Sequence, residues 1–72
     1  MDICGRVGSH IRTARTAKGW SQEELADRAS IHQTYVSQLE RGVKNATLTS
    51  MEKLAVALGT TPGRLIDGAT LP

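Results

Sequence analysis

Two helical patterns separated by about three residues constrain this chain more than anything else in it. Residues 22–29, QEELADRA, place Leu25, Ala26 and Ala29 at helical spacing, and residues 33–41, QTYVSQLER, do the same with Val36 and Leu39. The connection, Ser30 to His32, is so short that the two helices must cross at a steep angle. Such a crossing needs a small residue where the axes approach, which Ala26 supplies, and branched residues beyond it, here Ile31 and Val36.

The rest of the chain keeps the same period. Residues 3–18 carry Ile3, Val7, Ile11 and Ala14 on one stripe and stop at Gly19. The stretch SQEE forms a capping box, in which the Ser21 hydroxyl accepts a first-turn N–H and Glu24 reaches back. Residues 48–58 turn Leu48, Met51, Leu54, Ala55 and Leu58 inward and end at Gly59. Either Thr47 or Thr49 is placed to cap that helix, and Glu52 would complete a box with Thr49. Thr61 as cap and Pro62 at the first helical position open a short fifth helix with Leu65 and Ile66. Nothing alternates with a period of two. The chain reads as one all-α domain over residues 1–72, a compact five-helix bundle.

Composition excludes several classes. Apolar residues are 39% of 72 with no Phe, so aliphatic residues, Trp20 and Met51 must build the core. The net charge is only +2, but residues 1–18 hold Arg6, Arg12, Arg15 and Lys18 against Asp2, a locally basic surface. A single cysteine, Cys4, allows no internal disulfide and fits a reducing, cytoplasmic setting. His10 and His32 have no partners at ligand spacing, so no metal and no cofactor is expected. No apolar run reaches membrane-spanning length. Neither a nucleophile–base constellation nor a glycine-rich phosphate loop is present, and an enzyme is not expected.

The third helix carries the functional signal. At about 100° per residue, Val36, Leu39 and Glu40 share one side, while Thr34, Ser37, Gln38 and Arg41 gather opposite, with Gln33 at the N-terminal edge. A face built only for solubility would carry Glu and Lys. Amides and hydroxyls instead match base edges in the major groove, where Gln pairs two-pronged with adenine and Thr bonds a base edge or touches a thymine methyl. Lysines would hold phosphates without telling bases apart.

On these residues, 11–66 resembles the Cro/repressor (Xre-type) helix-turn-helix family, with a lambda-repressor-like fold and its helix-turn-helix at about 22–41. The motifs are SQEELA followed by VSQLERG, and HQTYVSQLERGVKNATL is most similar to controller proteins of restriction–modification systems. The resemblance implies a transcription regulator that binds double-stranded operator DNA sequence-specifically as a homodimer and, as a controller, both activates and represses. An antitoxin-type interaction module is the alternative, though only Gly68 to Pro72 follow the last helix to grip a toxin.

Carried over by position, the resemblance puts base reading on Gln33, Thr34 and Gln38. Gln22 falls where the family has a glutamine that contacts a phosphate and braces the first glutamine of the recognition helix, here Gln33. Ser21, Tyr35, Ser37, Arg41, Lys44 and Asn45 match positions that reach the DNA backbone, although Tyr35 can equally pack beside Val36. Arg15 and Glu40 match a structural ion pair between helices one and three. Ser30 stands where the family often has Gly, which costs about 1 kcal/mol in the left-handed region. Glu23 and Asp27, four apart, match an acidic patch that touches the RNA polymerase sigma subunit. Dimerisation is expected on helices four and five through Leu65, Ile66 and Leu71, with closing the core as the other role open to Leu65.

Overall fold

The computed structural model describes residues 2–68, which form five helices: α1 (Ile3–Ala17), α2 (Gln22–Ala29), α3 (Gln33–Glu40), α4 (Leu48–Leu58) and α5 (Pro62–Asp67). Helices α1 and α3 each stop one residue short of the expected end, with Lys18 and Arg41 as their C-terminal caps.

Four helix starts are capped by the side chain just before them. Asp2, Ser21, Thr47 and Thr61 accept the N–H of Gly5, Glu24, Ser50 and Arg64, each satisfying a donor that the first turn leaves unpaired. Thr47 rather than Thr49 therefore caps α4. The box at α2 is only half made, because the Glu24 carboxylate turns to Arg28 Nε at 2.8 Å instead of reaching back.

Four helix ends close alike. A left-handed residue at the end of the helix and its successor return their N–H groups to carbonyls of the last turn. In α2 these are Ser30 N to Asp27 O at 3.2 Å and Ile31 N to Ala26 O at 3.0 Å. The geometry requires a left-handed residue. Ser30 supplies it at φ 58° and is the non-glycine exception among the described residues.

The core holds Val7, Ile11 and Ala14 of α1, Leu25, Ala26 and Ala29 of α2, and Val36 and Leu39 of α3. Met51, Leu54, Ala55 and Leu58 of α4 and Leu65 of α5 complete it. Two expected core residues are not in it. Ile3 is 53% exposed and Leu48 85%, because each opens its helix at the rim of the bundle, where the stripe has run past its partners. Leu65 is fully buried within the single chain, so it closes the core and leaves the set of dimer-surface residues. Ile66, next to it, is 39% exposed. Leu71 lies outside the described residues.

Two close approaches fix the layout. A Cβ on Gly8 would overlap the Leu39 carbonyl oxygen and stand 2.9 Å from that of Glu40, so α1 lies backbone to backbone against the end of α3. Two residues on, His10 Nδ1 donates to the Leu65 carbonyl at 2.8 Å and ties α1 to α5.

Candidate nucleic-acid interface

Helix α3 is held by one side and bare on the other. Val36 and Leu39 are buried, and the Glu40 side chain is only 4% exposed. Its carboxylate is met by a two-pronged Arg15, Nε to Oε2 at 2.7 Å and Nη2 to Oε1 at 2.9 Å. The third arm of the guanidinium, Nη1, donates to the Trp20 carbonyl at 2.7 Å. The expected ion pair is therefore present, and it also reaches the entry to α2. Hydrogen bonding to Glu40 raises the Arg15 pKa above its ordinary value, against the opposing effect of burial.

Gln22 corrects one expectation. Its Nε2 donates to Glu40 Oε1 at 3.2 Å, and the amide braces the buried carboxylate rather than Gln33. A buried acceptor with lone pairs left over draws the nearest donor to itself. Helices α2 and α3 are thus joined at both ends, the end of α2 to the start of α3 through the short turn and the start of α2 to the end of α3 through Glu40.

On the outer side, Gln33, Thr34 and Arg41 are exposed, and Ser37 and Gln38 are half-buried. Thr34, Ser37, Gln38 and Arg41 lie on the turn of the helix away from buried Val36 and Leu39, and Gln33 stands at the N-terminal edge, as the period implied. None of these side chains is hydrogen-bonded to another described residue. The protein therefore leaves their donors and acceptors to whatever lies outside.

Of the two roles weighed for Tyr35, the structure displays the packing one. The ring lies against the core, and the phenol shares a hydrogen bond with Ser50 Oγ at 2.9 Å and accepts the Thr47 N–H at 3.3 Å. Burial pushes the phenol pKa up, but hydrogen bonds from Ser50 and Thr47 and the Lys44 charge outweigh it, leaving it below the ordinary value. Tyr35 thus fastens α3 to the start of α4. Lys44 sits over its ring, 6.0 Å from the centre. Asn45, exposed beside it, accepts the Cys4 thiol hydrogen at 2.6 Å, so the loop after α3 is tied to the start of α1.

Ser21 is exposed at the cap of α2, its oxygen engaged by the Glu24 N–H at 3.0 Å. Glu23 and Asp27 are both exposed on α2, and neither joins the neighbouring Glu24–Arg28 pair. A second surface, of which the sequence marked only Ile66, is an apolar groove lined among others by Ile3, Cys4, Val7, Leu48, Met51 and Ile66. Its signal was hidden in residues whose spacing suggested core. Among the described residues no helix is long and apolar enough to cross a membrane.

The chain matches a helix-turn-helix family model over residues 11–65. It is 42% identical over 65 residues to the control protein C.BamHI of Bacillus amyloliquefaciens, an alignment covering 89% of this chain and 80% of that protein. Its structure is similar to the restriction-modification controller protein C.AhdI from Aeromonas hydrophila, at 42% identity and a TM-score of 0.83 over 86% of this chain and 94% of that one. It is also similar to SinR, a master regulator for biofilm formation solved in complex with DNA. That match has 32% identity and a TM-score of 0.82, covering 85% of this chain and 98% of the solved chain.

Proposed function

This chain belongs to the helix-turn-helix family of DNA-binding transcription regulators, and we propose that it reads an operator as a homodimer in the manner of a restriction–modification controller. One observation carries the reading: the outer face of α3 bears amides and hydroxyls without partners, on a helix whose inner face is fully satisfied. Gln33, Thr34 and Gln38 read base edges in the major groove. Ser21, Gln22, Ser37, Arg41, Lys44 and Asn45 hold the sugar-phosphate backbone and set the register. Gln22 has a second amide N–H for a phosphate while Glu40 holds the first. Tyr35 reaches the backbone only through the phenol that also binds Ser50 and Thr47.

A single α3 covers too little DNA for tight specific binding, and two copies related by a two-fold read half-sites about one helical turn apart. The apolar groove with Ile66, joined by Ile3 and Leu48, is the surface proposed for that pairing. Ile66→Asp should give a folded monomer in ultracentrifugation, and an intact dimer would remove this face. For activation, Glu23 and Asp27 offer like charges one turn apart that repel each other, and only Glu23, in the first turn, favours the helix dipole. They fit a basic surface on the RNA polymerase sigma subunit. Glu23→Gln with Asp27→Asn should lower activated transcription in a purified polymerase assay while operator affinity holds. The family and the regulators it resembles favour this function over the antitoxin alternative.

The main test is selection of bound sequences from random DNA. The wild type should select an inverted repeat, and Gln33→Ala and Gln38→Ala should each relax preference at single positions of it. Selection of the same repeat by all three proteins would mean that neither amide reads a base.

A further inference from the structure

The four similar helix ends differ at one position. In each, the residue after the left-handed one donates its N–H back into the helix: Trp20 to Arg15, Ile31 to Ala26, Val43 to Gln38 and Thr60 to Ala55. When that residue is apolar it ordinarily covers itself by packing on the helix or the core nearby. Trp20 and Ile31 do so and are packed against the core. Val43 is 66% exposed. The residue to which its N–H returns, at 3.1 Å, is Gln38, whose side chain is polar and lies on the outer face of α3. Val43 is not part of the apolar groove around Ile3, Leu48 and Ile66, so the proposed dimer surface does not account for it.

Its place is tightly defined. Gly42 takes the left-handed φ of 72° that aims the chain, and a Cβ there would come within 2.9 Å of the Gly5 Cα, so the turn is wedged against α1. The backbone that carries this exposed apolar side chain is thus anchored to the Gln38 carbonyl, next to Lys44. Base pairs offer one apolar feature in the major groove, the C5-methyl of thymine.

We propose that Val43 is a specificity-determining residue that contacts a thymine methyl next to the base pair read by Gln38. The pair forms a composite reader: the amide senses donors and acceptors, and the isopropyl group senses the methyl. This rests on the reading that Gln38 faces base edges, and the test separates the two.

Each thymine of the selected operator is replaced in turn by deoxyuridine, which removes the methyl and leaves base pairing unchanged. One such replacement per half-site, beside the position that Gln38→Ala relaxes, should weaken wild-type binding about fourfold, roughly the worth of one buried methyl. The same replacement should leave Val43→Ala unaffected, and Val43→Ile should retain the discrimination. Because Val43 is exposed, thermal melting should be unchanged in both variants. If every deoxyuridine affects wild type and Val43→Ala equally while Gln38→Ala still relaxes its position, Val43 reads nothing and the proposal falls alone. If Gln38→Ala also changes no preference, the underlying reading falls with it. An operator with no thymine beside the Gln38 position overturns the proposal as well.

Discussion

Helices α2 and α3 are eight residues each and close with the same pair of returning hydrogen bonds, yet their outer faces differ in kind. The outer face of α2 is charged and partly complete in itself. Glu24 and Arg28 pair at 2.8 Å, and Arg28 also lies over the Trp20 ring, 4.4 Å from its centre. The outer face of α3 has no charge before Arg41, and its amides and hydroxyls lack partners among the described residues. The inner face of α3 is as fully engaged as any part of the molecule, through Val36, Leu39 and the Glu40 carboxylate. Stability and the proposed recognition are therefore separated on α3 by about half a turn about its own axis.

Changes on the two faces should break different properties. The largest effect is expected from Glu40→Ala, which leaves the Arg15 guanidinium with 12% exposure and no counter-charge. It should cost about 3–5 kcal/mol of unfolding free energy, measured by urea denaturation. A loss below about 1 kcal/mol would show the pair to be dispensable. On the opposite face, Gln33→Ala and Gln38→Ala should each weaken operator binding by about 1–3 kcal/mol with no shift in melting temperature. Equal losses on operator and random DNA would place both outside base reading. Arg41→Ala should weaken all sequences alike and reduce the slope of log affinity against log salt by about 0.9, one phosphate contact. An unchanged slope would take Arg41 off the backbone.

The smallest effect compares the two helix ends. Ser30→Gly removes left-handed strain of about 1–2 kcal/mol but adds unfolded-state freedom of about 0.5–1 kcal/mol. Stability should rise by about 0.5 kcal/mol, and operator binding should not change. A fall in stability would mean that the Ser30 side chain holds the turn.

Local rules made most of this architecture legible in the sequence. Caps, glycines and the apolar period placed the helices to within a residue, and the left-handed Ser30 was indicated by the family resemblance, which often has Gly there. The outer face of α3 was readable because a helix wheel needs no tertiary information. What escaped was decided by packing. Spacing placed Ile3 and Leu48 on the right stripes but does not show where a stripe outruns its neighbours. Leu65 and Ile66 sit about 100° apart on one helix, and only the position of α1 and α4 determines which is buried. Gln22 chose Glu40 over Gln33 because a buried carboxylate with acceptor capacity to spare beyond Arg15 exists only after α1 and α3 have met. Gly8 carried no pattern at all. Its reason is a carbonyl distant in sequence.

Gly8 and His10 together have a metrological consequence. Within three residues of α1, one contact sets the distance to the helix proposed to read bases and another sets the distance to the helix bearing Ile66. In the proposed dimer the gap between the two reading helices is that offset counted twice. A Cβ at Gly8 would displace α3 in both copies, and operators lengthened one base pair at a time would register the change as a new preferred spacing. Helix α1 then works as a gauge block, and the missing side chain at Gly8 is the mark to which it is ground.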